Sequence, residues 1–174
     1  ETLKTKYELF PSAIFIDVGS VKNKLIQEVE SFTELSERFV GTHPMAGREF
    51  SGAASAQSDL FNGRAWILVP TKNTDPKFVS VVAELVESLG ATAYQMSGSS
   101  HDALLARISH LPQALSTSLA GSLLDIGSGM ELSGQGLRDT TRLAESDAHL
   151  WSEIFIANQD AVLEAIESFS KQLQ

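Results

Sequence analysis

The chain first becomes strongly apolar in residues 12–18, which read Ser12-Ala13-Ile14-Phe15-Ile16-Asp17-Val18. A short apolar run that ends in an acid is typical of a buried strand in a parallel sheet. Gly19 and Ser20 follow as a break. A helix is predicted from residue 21 to about residue 32, because apolar residues recur on one face at Val21, Leu25, Ile26 and Val29. This order of strand, turn and helix indicates an α/β unit.

The alternation of strands and helices continues to residue 96. Further strands are predicted at residues 38–40, 65–69 and 92–96. Between the last two, Asp75-Pro76 predicts the start of a helix that runs to Leu89, and Gly90 ends it. The apolar face of this helix is formed by Val79, Val82, Ala83 and Val86. Strands that alternate with helices predict a largely parallel sheet.

The pattern changes near Gly98, beyond which only helices are predicted. Ser99 or Ser100 is a candidate cap for the first of them, with Asp102 in its first turn. Pro112 should kink this helix. A short helix over residues 137–145 and a long one from about residue 148 to residue 173 complete the chain. The sequence therefore divides into residues 1–98, which are α/β, and residues 99–174, which are all helical.

Composition excludes several classes of protein. The chain has 174 residues, 43% of them hydrophobic and 20% charged, as in soluble globular proteins, and no apolar run reaches the length that spans a membrane. It has no cysteine, which excludes disulfides, thiolate nucleophiles and zinc–thiolate sites and agrees with a cytoplasmic location. We expect no metal site. The formal net charge of −9 argues against nucleic acid as a partner, so an anionic ligand would need arginines gathered locally.

One histidine lies in a segment suited to proton transfer. Residues 41–47 read Gly41-Thr42-His43-Pro44-Met45-Ala46-Gly47. Pro44 favours an extended backbone at His43, which predicts that the ring lies at the end of a strand, and the flanking glycines permit close approach of a ligand. An imidazole there could act as a general base near neutral pH. The alternative is a structural or solvent-facing histidine.

The turn after the first strand is a second candidate. In an open α/β sheet, ligands gather at the carboxyl ends of the strands, where Ser20 would offer a hydroxyl group. The alternative for Ser20 is an ordinary helix cap. Near the His43 segment, Glu49 could pair with an arginine, and its alternative is a solvated loop carboxylate.

Two further groups lie in the helical half. His110 and Gln113 in Ser109-His110-Leu111-Pro112-Gln113 are three residues apart, so both can face the same side of a helix, although a core histidine without a ligand is an equal alternative. Arg138 and Arg142 are four residues apart and could clamp a carboxylate, with Asp139 as a tether for one of them. The alternative is a ladder of weak surface ion pairs.

Taken in order, these segments resemble the prephenate dehydrogenase family, which includes arogenate and cyclohexadienyl dehydrogenases. The similarity extends to Trp151 and Asn158 in the last predicted helix. The resemblance implies an α/β remnant of a Rossmann-like nucleotide-binding domain followed by an all-α helical dimerisation domain that forms a homodimer. No Gly-x-Gly-x-x-Gly segment follows a strand here, so the resemblance also implies that most of the nucleotide-binding domain precedes Glu1.

The resemblance assigns roles in an oxidative decarboxylation. His43 would accept the proton of the ring hydroxyl of prephenate while hydride leaves for NAD or NADP. Ser20 would orient His43 and the nicotinamide, with Asp17, Gly19 and Pro44 on the cofactor side. The substrate side would comprise Arg142 as the carboxylate ligand, an ionic network of Arg138, Asp139 and Glu49, and the pocket residues Ser109, His110 and Gln113.

The resemblance leaves the substrate open. Many members have a second histidine where this chain has Gln113, so preference for prephenate or arogenate and feedback by tyrosine are both undecided. A non-catalytic module that binds tyrosine or dimerises is the alternative from another class. We expect the 174-residue chain alone to bind dinucleotide poorly and to turn over little.

Overall fold

The computed structural model of this protein describes residues 2–47 and 56–174. The chain divides into two compact units, Glu1–Asp102 and Ala103–Gln174. Each unit has its own core.

The first unit is built on a four-stranded sheet. Its strands are β1 (Phe15–Ile16), β2 (Phe39–Pro44), β3 (Ala65–Pro70) and β4 (Thr92–Gln95), which lie in that order across the sheet. Its helices are α1 (Thr2–Leu9), α2 (Asn23–Glu30), α3 (Thr33–Ser36) and α4 (Pro76–Ser88). The predicted α/β unit is confirmed.

The sheet is mixed, which corrects the prediction of a largely parallel one. Strands β1 and β2 are parallel, as are β3 and β4, but the central strands β2 and β3 are antiparallel. The chain leaves β2 at Pro44 and enters β3 at Ala65 on the same edge, where Met45 N donates to Ala65 O at 2.9 Å. When the chain leaves one strand and enters the next at the same end of the sheet, two neighbouring strands joined in this way are antiparallel.

Strand β1 is shorter and more exposed than the apolar run predicted. Within the described residues it pairs only with β2, and its ladder covers two residue pairs. Ile16 is 39% exposed and Val18 is 61% exposed. The prediction of a buried strand is therefore wrong, because the described residues leave β1 at the edge of the sheet and its side chains partly exposed.

Helix α4 packs on the sheet as its sequence predicts. Its N-cap Asp75 accepts a hydrogen bond from Lys77 N at 3.0 Å, and Gly90 adopts φ +80°, which ends the helix. The core between the helix and the sheet contains Val40, Trp66, Leu68, Val82, Val86 and Ala91. Burial of each large side chain in this core contributes about 1.5–3 kcal/mol to the free energy of unfolding. This burial holds in place the strands that carry the site.

The second unit is helical throughout its described length, as predicted. After α5 (Gly98–Leu105), within which the boundary between the units falls, the elements are a π-helical turn (Ala106–His110), α6 (Leu111–Ser122), α7 (Gln135–Thr141), α8 (Ala148–Ala157) and α9 (Gln159–Gln172). Short 3₁₀ turns cover Met130–Leu132 and Arg142–Glu145. A small core contains Ala106, Val162 and Ala165.

Two helix predictions in this unit need correction or refinement. The disturbance expected at Pro112 is the π-helical turn before it, where the amide of Leu111 bonds to Ala106 O, five residues back. The single long helix expected after residue 148 is two helices, because Asn158 adopts φ −112° and ψ +29° between them. No helix in the described ranges combines the length and the apolar character needed to cross a membrane.

Candidate active site

His43 lies at the carboxyl end of β2, as Pro44 predicts. The strand is longer than the predicted residues 38–40 and continues through Pro44, which pairs with Trp66 of β3. His43 is only 9% exposed. An imidazole that is largely shielded from water, at the edge of a sheet where ligands gather, is well placed to exchange a proton with a bound ligand.

Gly41 has a packing function. A Cβ atom at Gly41 would lie 2.9 Å from Val69 O and 3.0 Å from Ile26 Cδ1. These distances are shorter than normal contacts, so the residue must be glycine for β2 to lie against both β3 and α2. The close approach that Gly41 permits is therefore between parts of the protein.

His43 is hydrogen-bonded to a second histidine. Its Nδ1 lies 2.8 Å from Nε2 of His101, and the two rings are tilted by 56°. His101 is completely buried, and its Nδ1 lies 2.7 Å from Oδ1 of Asp102. We refer to His43, His101 and Asp102 as the His–His–Asp chain. Sequence reasoning missed His101, since the adjacent letters His-Asp give no indication of a partner 58 residues away.

Asp102 also holds the start of α2. Its Oδ1 accepts from Lys22 N at 2.9 Å and its Oδ2 accepts from Asn23 N at 2.8 Å. Burial raises the pKa of Asp102, but the hydrogen bonds from His101, Lys22 N and Asn23 N together hold that pKa below its ordinary value. The carboxylate is therefore ionised at neutral pH and acts only as an acceptor.

The sequence predicts Asp102 in the first turn of a helix capped by Ser99 or Ser100, and this prediction is wrong. The helix begins earlier, at Gly98, and Ser97 Oγ accepts from Ser100 N at 3.2 Å. Asp102 thus lies beyond the first turn of α5. Its charge stabilises the N-terminus of a different helix, α2, whose own N-cap residue Lys22 makes no side-chain cap.

Asp17 and Lys22 form an ion pair next to the His–His–Asp chain, in which Lys22 is buried and Asp17 is partly exposed. Lys22 is fully buried, and its Nζ is bonded to Asp17 Oδ2, which also accepts from Gly19 N at 2.9 Å. Asp17 Oδ1 accepts from Thr42 N at 3.0 Å. Burial lowers the pKa of Lys22, and the charges of Asp17 and Asp102 oppose that shift. Asp17 therefore ties the end of β1 to β2 one residue before His43.

Gly19 and Ser20 lie at the same edge of the sheet as His43. Because β1 and β2 are parallel, with Ile16 opposite Val40, both strands end on this edge. Gly19 is exposed and Ser20 is half-buried, and the Ser20 hydroxyl makes no hydrogen bond to any residue that the structure describes. An accessible backbone and a hydroxyl fit the amide-bearing nicotinamide ring. The phosphates of a dinucleotide would need a glycine-rich loop, which these 174 residues do not contain.

The second unit brings His110 together with Trp151 and Asn158. His110 is 2% exposed, Asn158 Nδ2 lies 3.1 Å from its Nδ1, and the Trp151 ring meets it edge-on at 6.0 Å between centroids. Ser109 is half-buried in the same π-helical turn. His110 is therefore a buried, hydrogen-bonded histidine, with Trp151 and Asn158 as its partners.

Gln113 is buried as well. Its Nε2 donates to Leu143 O at 2.8 Å and to Thr117 Oγ1 at 3.2 Å. Its Oε1 is buried without a hydrogen-bond partner among the described residues. This oxygen remains available as an acceptor.

The arginines lie on exposed positions. Arg138 Nη2 donates to Ser133 O at 3.3 Å, whereas Asp139 accepts from Gln135 at 2.7 Å and is not the tether that was expected for an arginine. Helix α7 ends at Thr141, so Arg142 begins the 3₁₀ turn. Glu49 lies outside the described residues.

Comparisons with known proteins agree along the whole chain. The family model described as "Prephenate dehydrogenase, nucleotide-binding domain" matches residues 1–95, and "Prephenate dehydrogenase, dimerization domain" matches residues 97–174. Prephenate dehydrogenase of Bacillus subtilis is 31% identical over 164 residues, which are 92% of this chain and 44% of that protein. Cyclohexadienyl dehydrogenase of Zymomonas mobilis is 31% identical over 92% of this chain and 56% of its own length.

Solved structures show the same likeness. Prephenate dehydrogenase from Aquifex aeolicus, in complex with hydroxyphenyl propionate and NAD+, is 36% identical with a TM-score of 0.87, over 98% of this chain and 63% of that one. Arogenate dehydrogenase from Synechocystis is 31% identical with a TM-score of 0.85, over 99% and 63% of the two chains. The chain spans about half the length of the curated relatives, 44% and 47% for those from Bacillus subtilis and Lactococcus lactis. Both halves match models of one family, and the chain belongs to the prephenate dehydrogenase family.

Proposed function

We propose that the full-length protein containing this chain is an NAD(P)-dependent dehydrogenase that converts prephenate to 4-hydroxyphenylpyruvate. Family membership supports the reaction class. The observation that carries the proposal within this chain is His43, held at a strand end by the His–His–Asp chain. A buried imidazole with an ionised carboxylate behind it is suited to accept a proton during hydride transfer.

In the proposed reaction, His43 accepts the proton of the ring hydroxyl through one of its nitrogens. A bound NAD or NADP would supply the nicotinamide that accepts hydride from the carbon bearing this hydroxyl. The bond between the ring and its carboxylate breaks, carbon dioxide leaves, and the electron pair of the broken bond makes the ring aromatic. His43 then returns its proton to the phenolate oxygen, which gives the hydroxyl group of the product. His43 must be neutral beforehand, so activity should fall as the pH drops and the imidazole becomes protonated.

Binding roles are proposed for residues of each unit taken separately. Ser20, Gly19 and Pro44 would meet the nicotinamide, and Asp17 would hold their turn in place through Thr42 N and Lys22. We propose Arg142 as the ligand of a substrate carboxylate. The remaining proposed substrate residues are Arg138, Asp139, Glu49, Ser109, His110 and Gln113. We also propose that the full-length protein is cytoplasmic.

Arogenate is the second candidate substrate, and Gln113 supports it. The buried Oε1 of Gln113 has no hydrogen-bond partner among the described residues and could accept from the ammonium group that arogenate has in place of a keto group. The comparison to make is kcat/KM for prephenate and arogenate with the full-length protein. If Gln113 selects arogenate, Gln113→His should shift the ratio of the two kcat/KM values toward prephenate.

We also propose that the helical unit pairs with a second copy of this chain. The matching family model is described as a dimerization domain. Large apolar side chains are exposed on this unit, among them Ile108, Leu124, Ile126, Leu132, Leu163 and Leu173. A second copy would remove such surface from water. Ile108→Asp should therefore shift the molar mass measured by light scattering toward the monomer, whereas the exposed apolar residue Val81 in α4 offers a control, Val81→Asp, that should not.

The decisive test of the catalytic role is His43→Asn in the full-length protein. We expect kcat to fall by about 10²–10⁴-fold, the range that a general base supplies, while the dissociation constant for dinucleotide stays unchanged. His149→Gln is the control, because the side chain of His149 is 84% exposed. A loss of kcat below threefold would reject His43 as the base. Tight binding of tyrosine by a dimer that has no activity at full length would instead favour a non-catalytic module.

A further inference from the structure

We propose that His101 and Asp102 are positioning residues that fix the proton of neutral His43 on Nδ1, so that Nε2 is the nitrogen that accepts the substrate proton. The inference deepens the proposed function, because it names the atom of His43 that acts and the groups that select it. The assignment of the tautomer itself depends only on contacts within the first unit.

Asp102 can only accept hydrogen bonds in this arrangement. Its two oxygens accept from the backbone N–H groups of Lys22 and Asn23, and a backbone N–H can only donate. The same hydrogen bonds hold the carboxylate in its ionised form. Asp102 therefore has no proton to offer His101, and the 2.7 Å contact between them requires His101 Nδ1 to be the donor.

The role of each remaining nitrogen follows from this fixed end. A neutral His101 with its proton on Nδ1 has a lone pair on Nε2, which faces Nδ1 of His43 at 2.8 Å. Two lone pairs cannot face each other at this distance, so His43 Nδ1 must carry a proton and donate it. In neutral His43 the lone pair then lies on Nε2.

Burial and nearby charge make this arrangement effective. His101 is completely buried, so water cannot replace Nε2 as the acceptor for His43. When His43 takes up a proton, the positive charge is stabilised by Asp102 through His101, with no transfer of a proton to the carboxylate. Among the described residues, the charged side chains of Asp17 and Lys22 also lie in this part of the unit and neutralise each other as an ion pair.

Asp102 also joins the base to the turn that follows β1. The same oxygen, Oδ1, accepts from His101 Nδ1 and from Lys22 N. Lys22 lies two residues after Ser20, and Ser20 is proposed to meet the nicotinamide. One carboxylate thus sets both the orientation of the base and the backbone of the cofactor turn.

The tautomer can be read directly by two-bond ¹H–¹⁵N correlation NMR on the 174-residue chain, which has four histidines. We expect His43 to carry its proton on Nδ1 at a pH above its titration. His101→Phe removes the acceptor, and we expect the proton of His43 to move in large part to Nε2. His101→Gln places an amide oxygen near the position of Nε2, so it should keep the proton on Nδ1. His149→Gln, far from any of these groups in sequence and exposed, is the control for assignment.

Turnover of the full-length protein supplies the second readout. His101→Phe should lower kcat about 100-fold, within the range that a general base contributes, with KM changed less than threefold. His101→Gln should retain kcat within about tenfold, because the acceptor survives. Asp102→Asn should move the acid limb of kcat/KM to lower pH, because it removes the negative charge that stabilises protonated His43. A residue with a purely structural role would not move that limb.

The outcomes separate this inference from the proposed function. A wild-type chain with His43 protonated on Nε2, or a His101→Gln chain that loses the proton from Nδ1, would overturn the inference even if His101→Phe fails to fold. Full activity of His43→Asn would instead overturn the catalytic role while leaving the measured tautomer intact.

Discussion

Two buried histidines, one in each unit, use the same ring nitrogen in opposite ways. Nδ1 of His43 faces a lone pair on His101 that is fixed by the charge of Asp102, so it donates. Nδ1 of His110 faces the amide nitrogen of Asn158 at 3.1 Å, so it accepts. His43 therefore presents a lone pair on Nε2 and His110 presents an N–H group. The partner at Nδ1 decides whether a buried histidine offers a base or a hydrogen-bond donor.

The largest effect on this comparison should come from Asp102→Ala. It removes the acceptor for two backbone N–H groups and for His101, and buried donors left without partners cost about 1–3 kcal/mol each. We expect the free energy of unfolding of the first unit to fall by about 3 kcal/mol. The chain has two tryptophans, so Trp66 fluorescence in a Trp151→Phe background reports urea unfolding of this unit. Asp139→Ala, at an exposed carboxylate, should change the free energy by less than about 0.5 kcal/mol.

The contribution of the Asp102 charge should disappear in acid. Its folded pKa lies below its ordinary value of 3.8, so the ionised carboxylate stabilises the fold fully above that value. As the pH falls from there through the folded pKa, the stabilisation is lost. The difference in free energy of unfolding between wild type and Asp102→Asn should stay constant from neutral pH to roughly pH 5 and shrink below pH 4. A difference that grows in acid would contradict the assignment.

Gly41→Ala tests how tightly the strand that carries His43 is packed. The added Cβ would meet Val69 O at 2.9 Å, and a backbone carbonyl in a sheet cannot move aside without breaking the β2–β3 ladder. We expect a loss of about 2 kcal/mol in the free energy of unfolding, within the usual cost of overpacking. Gly47→Ala is the control, since no atom of the described residues lies within 4 Å of the position of its Cβ. Equal stability of the two variants would show that β2 can move away from β3.

Asn158→Asp should make the second histidine resemble the first. It places a carboxylate beside Nδ1 of His110, and an opposite charge at this distance favours the protonated imidazole. We expect the pKa of His110 to rise by about 1 unit or more, measured by titration of its ring proton signals in NMR. Asn158→Ala removes the hydrogen bond without adding a charge, so it should not raise that pKa. No increase with Asn158→Asp would show that the partner at Nδ1 does not control His110.

Local sequence signals predicted the elements, and long-range contacts account for what they missed. Helix α4 is within one residue of its prediction, because Asp75, Pro76 and Gly90 define its ends locally. The link between His43 and His101 spans 58 residues and follows from the fold alone.

The corrections have the same origin. The break between α8 and α9 lies at Asn158, whose side chain meets His110 across 48 residues of chain. The antiparallel pairing of β2 and β3 depends on the end of the sheet at which the chain enters β3. Periodicity carries no information about either, whereas the order of the motifs along the chain was enough to indicate the family.

The smallest predicted effect, Gly121→Ala, tests whether the second unit has packing as tight as that around His43. Gly121 lies in the last turn of α6, is exposed, and has no atom within 4 Å of the position of a Cβ. Alanine loses less backbone entropy than glycine when a helix forms, so we expect the free energy of unfolding to rise by about 0.5 kcal/mol, measured by Trp151 fluorescence in a Trp66→Phe background. Contacts with Val69 and Ile26 require glycine at Gly41, in the strand that carries His43, whereas no such contact requires it at Gly121. A loss of stability in Gly121→Ala that appears only at protein concentrations where copies associate would place the glycine in the proposed interface between two chains.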